Sequence, residues 1–261
     1  MRSLLFALLD SWLCPPPAKA RVAWLANGTY AHRGLHGPGV PENSPAAFAA
    51  AMERGLGIEC DVQRTADGQA VVFHDWVLDR LTDETGPVLE RDSAALAGIP
   101  LKDGPLKDGT NTIPSLPAVL NLIGGKVPLL IEVKSRRDLP VGPLCAAVRE
   151  ALAGYSGPVA VMSFDPRVSR WMRQNAPQIA RGLVVSEEDK RGLKGLLERH
   201  WSLWLGWPEF LAYDIRDLPS DFAQSQRQRG LPLLSWTVRS PDLRERAARY
   251  ADAPIAEGAG I

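Results

Sequence analysis

Three cysteines, Cys14, Cys60 and Cys145, are too few and too widely spaced for a disulfide framework, a C-x-x-C redox pair or a thiolate metal site. An odd, scattered set fits a reducing compartment. Excess charge is also missing. Lys plus Arg and Asp plus Glu are both 30, so the chain has no general field to attract nucleic acid or an anionic surface, and an anionic ligand must be gripped locally. No apolar run has the length of a bilayer-spanning helix, so no stable membrane insertion is expected. The nearest approach is Leu4 to Leu9, which Asp10 interrupts and Pro15-Pro16-Pro17 follows. Arg2 before that run and Ala18-Lys19-Ala20 after it have the look of a secretory leader and its cleavage site. A short helix packing on the domain or lying loosely beside it fits the same residues, with a cytoplasmic chain; because the first strand and every candidate site residue lie after it, a chain begun near Ala20 is expected to fold and stay active.

What is present is an ordinary globular balance, 45% hydrophobic and 23% charged, in 261 residues, a normal length for one α/β barrel. Short apolar or β-branched runs alternate with helical segments, as in a parallel sheet. The runs are Thr29 to His32, Gly57 to Val62, Pro128 to Val133, Val159 to Ser163, Gly182 to Val185, Leu211 to Asp214, Leu233 to Val238 and Ala253 to Ala256. Eight is the number a (β/α)8 TIM barrel needs. Helices are expected at Pro45 to Arg54, Leu116 to Ile123, Val141 to Ala153, Pro166 to Asn175, Lys190 to Glu198, Asp221 to Arg229 and Pro241 to Ala251. Asp67-Gly68 should turn the chain so that Val71 to Phe73 pairs back on the second strand. A small insertion follows at about 77–113, where Leu101-Lys102-Asp103-Gly104 nearly repeats as Leu106-Lys107-Asp108-Gly109. The rest reads as one domain over 1–261.

Chemistry gathers at the carboxyl ends of the early strands, the face on which barrel enzymes place their sites. His32-Arg33-Gly34 closes the first strand. Glu59 and Asp61 lie one residue apart on the second and therefore face the same way. Two carboxylates pointing together repel unless a cation sits between them, and Glu132 at the end of the third strand adds another. Oxygen ligands without thiolate favour Mg²⁺ or Ca²⁺ as the cofactor. Lys134, two residues on, and the planar fork of Arg33 suit phosphate oxygens. His74 returns to the same mouth from the hairpin. Two imidazoles can take a proton from an attacking group and give one to a leaving oxygen.

Taken singly, each of these residues has an ordinary structural reading as a solvated strand-end acid or a satisfied core histidine. Their order does not. H-R-G, P-E-N-S, E-x-D, T-x-D-G with H-D, then E-V-K resembles the glycerophosphodiester phosphodiesterase family, densely over 32–134 and more weakly through Ser163-Phe164-Asp165 and Ser235-Trp236-Thr237-Val238. The resemblance implies His32 and His74 as general acid and base, Glu59, Asp61 and Glu132 as metal ligands, and Arg33 and Lys134 as phosphate contacts. It also implies Trp236 as a pocket wall, and the substrate's own neighbouring hydroxyl as nucleophile. Glu42-Asn43-Ser44 matches the family's E-N-T, read here as the loop and cap before a helix, with Glu42 near the metal as a second reading. Two departures stand out: Arg239 where the family often has Asn, and Ala256-Glu257-Gly258 where it has Thr-Asp-x-Pro.

The expected partner is a small glycerophosphodiester. Two rival readings share the fold: phospholipase D-like attack on a lysophospholipid headgroup, and a catalytically silent glycerophosphodiester-binding module. The first would favour secretion, disulfides and an apolar loop, the second a lost catalytic residue, and neither sign is evident. Trp201, Trp204 and Trp207 repeat at near-helical spacing, which reads as core or lid. His36 reads as a loop residue, and His200 as a helix-end residue favoured by the dipole.

Overall fold

The computed structural model describes residues 2–104 and 111–261, with side chains from Phe6 onward. Four helices begin where Ser or Asp stands one or two residues before proline, because the cap's oxygen accepts a backbone N–H and proline needs none at the first turn. Ser44 so caps α3 (Pro45–Glu53), Ser115 α5 (Leu116–Ile123), Asp165 α7 (Pro166–Asn175) and Ser240 α10 (Pro241–Tyr250).

Residues 30–159 form one compact unit. It carries β1 (Tyr30–Ala31), β2 (Gly57–Arg64), β3 (Ala70–Val72), β4 (Leu129–Val133) and α6 (Gly142–Ala151). β2 pairs parallel with β1 and β4, with Asp61 opposite Glu132, and antiparallel with β3, with Val62 opposite Val72. The hairpin expected at Asp67-Gly68 is therefore formed. The insertion has a core of its own, in which Leu78, Val88, Leu96 and Ile113 pack on Val71 and Phe73, with α4 (Ser93–Ala97) inside it. The second half of its near-repeat, Leu106 to Gly109, lies outside the described residues.

Residues 1–29 and 160–261 form the other unit. Its strands are β5 (Val159–Ser163, whose first residue falls just before the boundary), β6 (Ala180–Val185), β7 (Phe210–Asp214), β8 (Leu233–Val238) and β9 (Ala253–Ala256), paired parallel in sequence order. The sheet order β1-β9-β8-β7-β6-β5-β4-β2, with β1 also pairing β2, is the cyclic order of a (β/α)8 barrel. Among the described residues no helix is long and apolar enough to cross a membrane.

The structure revises three expectations in this second unit. α8 runs Leu193–Gly206, one long helix rather than Lys190 to Glu198. His200 is therefore inside it and buried, not at its end. The tryptophan stripe divides: Trp201 is exposed, while Trp204 donates its indole N–H to Asp10 at 2.8 Å. α1 (Arg2–Leu13) is the short helix expected there, and Asp10 ties it to the unit. Asp10 is fully buried and also meets His200 Nδ1 at 2.9 Å and accepts from Gln226 Nε2 at 2.7 Å, the latter from α9 (Asp221–Gln228). Burial would raise its carboxyl, but the hydrogen bonds from His200 and Gln226 hold it below the ordinary value. That depressed pKa contributes stability at neutral pH that is lost as pH falls through the carboxylate range.

Asp10→Ala leaves buried His200 and Gln226 and half-buried Trp204 without their shared partner and should destabilise the protein by about 2–4 kcal/mol. Starting the chain at Ala20 removes the same acceptor, so the truncated chain should melt well below the parent. Thermal melts followed by circular dichroism check both, and unchanged midpoints would show that α1 is not held by Asp10.

Candidate active site

The turn after β1 depends on Gly34, at φ 79°, where a Cβ would come within 2.8 Å of the Ala47 side chain. Arg33 before it is also left-handed, at φ 56°. This unusual backbone aims the Arg33 N–H at Glu59 Oε2, 3.0 Å away, while its side chain turns to Glu42 at 2.7 Å. Arg33 Nε is 3.3 Å from Asp61 Oδ2, an ion-pair distance without hydrogen-bond geometry. From β4, Lys134 Nζ bridges Glu132 at 2.9 Å and Asp61 at 3.1 Å.

Glu59, Asp61 and Glu132 are all buried, and one carboxylate oxygen from each lies within 4.8 Å of the others. Burial and the neighbouring charges of Asp61 and Glu132 push the Glu59 carboxyl well above its ordinary value. Burial also raises Glu132, although Lys134 opposes it. Asp61 goes the other way: burial would raise it, but Lys134, Arg33 and His74 hold it far below the carboxylate range. Arg33 and Lys134 thus outweigh burial at Asp61 but not at Glu59 or Glu132. Three buried carboxylate oxygens gathered this closely are a donor set that fits a hard divalent ion.

His74 reaches the cluster's field from the β3 side, with Nδ1 2.7 Å from Asp75 Oδ1. Burial lowers its pKa, as do Lys134 and Arg33, against the raising effect of Asp61. Gln63 of β2 donates to the carbonyls of Phe73, at 2.9 Å, and Asp75, fixing the segment in between. His32 is buried at the end of β1.

Three partners were not anticipated as site residues. Asn43, at φ 54°, donates Nδ2 to Asp61 Oδ2 at 3.0 Å and accepts the Asp61 N–H at 3.2 Å, so E-N-S orients a carboxylate as well as capping α3. Asp75 holds His74. Arg80, from the insertion, forks between Asp75 (Nε 2.5 Å) and Glu42 (Nη1 2.9 Å, Nη2 2.8 Å). Glu42 is therefore saturated by Arg33 and Arg80. An asparagine beside Pro-Glu and an Asp beside His were visible signals for two of these, but nothing in the spacing marked Arg80.

Trp236, on β8, donates Nε1 to the Ala212 carbonyl at 2.9 Å and stands edge-on to Phe164, ring centres 5.4 Å apart. The two departures at the ends of β8 and β9 answer each other, since Arg239 Nε lies 2.5 Å from Glu257 Oε1.

The chain matches the glycerophosphoryl diester phosphodiesterase family over residues 32–256 and belongs to that family. It is an enzyme, a phosphoric diester hydrolase. A glycerophosphodiester phosphodiesterase of Caldanaerobacter subterraneus is 34% identical over 83% of this chain and 87% of its own. A putative one of Bacillus subtilis is 32% identical over 80% and 85%. A solved phosphodiesterase of Oleispira antarctica, in complex with the product sn-glycerol-3-phosphate, superposes with a TM-score of 0.74 at 25% identity over 88% of this chain and 92% of that one.

Arg80→Ala should leave the fold intact, because its side chain is about half exposed, and should lower turnover roughly tenfold or more by loosening His74 and Glu42. Arg80→Lys should not restore it, since an ammonium cannot fork between two carboxylates. Steady-state kinetics check this, and a variant with parental turnover would remove Arg80 from the site.

Proposed function

We propose that the chain, acting as a single barrel domain, hydrolyses glycerophosphodiesters to glycerol phosphate and a free alcohol, with Glu59, Asp61 and Glu132 holding one Mg²⁺ or Ca²⁺. The observation that carries the metal is the charge of the cluster. Glu42, Glu59, Asp61, Asp75 and Glu132 are linked in one network with Arg33, Arg80 and Lys134, and the deficit of two charges is that of one divalent ion. Bound there, such an ion supplies Lewis-acid polarisation of the substrate's oxygens.

The protein's own groups do the rest. Arg33 and Lys134, beside the carboxylates, meet the phosphoryl oxygens and share the charge that grows on them. In a glycerophosphodiester a hydroxyl sits next to the phosphorylated carbon, so its attack replaces an encounter with an intramolecular step. Its oxygen bonds to phosphorus while the bond to the alcohol breaks. One of His32 and His74 takes the hydroxyl proton and the other protonates the departing alcohol. Asp75 fixes His74 through Nδ1, leaving Nε2 as the nitrogen that exchanges a proton. Water then opens the cyclic phosphate to glycerol phosphate. Trp236 lines the glycerol or headgroup side of the pocket, as the family pattern implies.

Release assays across glycerophosphocholine, glycerophosphoethanolamine, glycerophosphoglycerol and lysophosphatidylcholine test the reading. Glycerol phosphate should form from the first three and stop with chelator, and Glu59→Gln, Asp61→Asn and Glu132→Gln should weaken metal binding and turnover together. Turnover of lysophosphatidylcholine alone would favour the headgroup-cleaving rival, and binding without turnover the silent module.

A substrate lacking the neighbouring hydroxyl should bind but not react. Phosphorus NMR of turnover decides it: cleavage of the deoxy analogue near the parental rate would make water, not the hydroxyl, the nucleophile.

A further inference from the structure

Beyond the carboxylates, β2 and β4 carry on along the same two faces. Gln63 follows Asp61 and Lys134 follows Glu132, each two residues on and therefore on the same side of its strand. The parallel register still holds there, because Lys134 donates its N–H to the Val62 carbonyl at 3.0 Å. Two residues of strand advance about 7 Å. One such step past the carboxylates lies a cavity of about 460 Å³, partly open to solvent, whose wall includes Gln63, Arg64, Trp76, Lys134 and Arg136. Except for Ser135, the rest of the wall is apolar, with Leu144 of α6 in it.

No Asp or Glu lines this cavity. Arg64, half-buried at the end of β2, has no side-chain hydrogen bond or ion pair among the described residues. Arg136 holds its guanidinium 5.9 Å from the centre of the Trp76 ring, 41% exposed, and so occupies a face that a ligand's cation would otherwise seek. The Lys134 ammonium is turned to Glu132 and Asp61 and adds little charge here. Two acids adjoin these residues in sequence, and neither is part of the wall. Asp75 is held by Arg80 and His74, and Asp138 meets Arg136 at 2.8 Å in an exposed pair, which water leaves weak. α6 starts at this wall with no side chain capping it from Val141, which brings the positive end of a helix to the same place.

We propose that this cavity seats the departing alcohol of the diester, and that Arg64 and Arg136 make it select neutral polyols, such as glycerol or inositol, over alcohols that carry a quaternary ammonium. The inference rests on the hydrolase reading and names the substrate class of that same site. A phosphoryl group held beside Lys134 and the carboxylates has its leaving oxygen within one strand step of the cavity. Gln63, in the shared wall, also fixes the segment that carries His74. A polyol's hydroxyls accept from the arginines there, whereas choline meets two like charges and an indole that is already taken.

The test compares kcat/KM for glycerophosphoglycerol, glycerophosphoinositol and glycerophosphocholine, with Mg²⁺ or Ca²⁺ saturating. The parent should favour each polyol over choline by about tenfold or more. Arg136→Gln frees the Trp76 ring for a quaternary ammonium and removes a like charge, so that preference should shrink by about tenfold, through a lower KM for glycerophosphocholine. Trp76→Ala added to Arg136→Gln should undo the gain for choline. Arg64→Gln should also shrink the preference, and Arg64→Lys, which keeps the charge, should not. Arg136 is half exposed, so its variant should keep the parental melting midpoint and decides the question should an Arg64 variant fail to fold. Equal turnover of choline and polyol substrates by the parent would overturn the inference and leave the hydrolase reading standing. So would an Arg136→Gln enzyme, folded as the parent, that changes all three substrates alike. No turnover of any of the three would sink the hydrolase reading itself, and this inference with it.

Discussion

Buried like charge is the constraint around which the residues of the site are arranged. β2 places Glu59 and Asp61 on one face by the two-residue period of a strand, and the parallel register sets Asp61 opposite Glu132. Carboxylates so close and so dry would ordinarily protonate or pull the strands apart. Around them the chain sets Lys134 from β4, Arg33 from a left-handed turn and Asn43 from another. These are costly local conformations, and each is explained by what it holds. Gly34 belongs to the same account, because the turn that directs the Arg33 N–H to Glu59 leaves no room for a side chain beside Ala47.

The balance of charge links the insertion to the site. Arg80 leaves the barrel's own scaffold and comes back to neutralise Glu42 and Asp75, which in turn fix Arg33 and His74. An excursion with a small core of its own is therefore a support for the residues around the carboxylate cluster and not a decoration of them. In the other unit a smaller version of the same logic fixes α1, where one buried carboxylate gathers donors from α8 and α9.

Much of this was legible from the residues. Parallel strands buried on both faces read as continuous apolar runs, so all eight were placed to within two residues of their ends; β6 and β1 show what shifts an end. Arg181 hid the start of β6, because a charge inside a strand reads as a boundary unless its partner, Glu209 at 3.0 Å, is known. β1 was expected from Thr29 to His32 and keeps only Tyr30–Ala31, since the turn begins at once. α8 was cut short for a similar reason: Glu198-Arg199-His200 looks like a solvated end, yet Arg199 and His200 are buried against Glu187 and Asp10. In the site, period-two carboxylates and strand-end motifs carry their own signal. Arg80 and Asp10 do not, because Glu42 and the partners of Asp10 are remote in sequence and follow no period.

The central claim is that the carboxylates of Glu59, Asp61 and Glu132 are completed by a divalent cation and not by protons. Crystals grown with Mn²⁺ test it most directly through anomalous difference density. The account expects one strong peak within ligating distance of all three carboxylates, displaced when Glu59 is replaced by Gln. A catalytically active crystal with no peak there, or with its metal bound elsewhere, would contradict it.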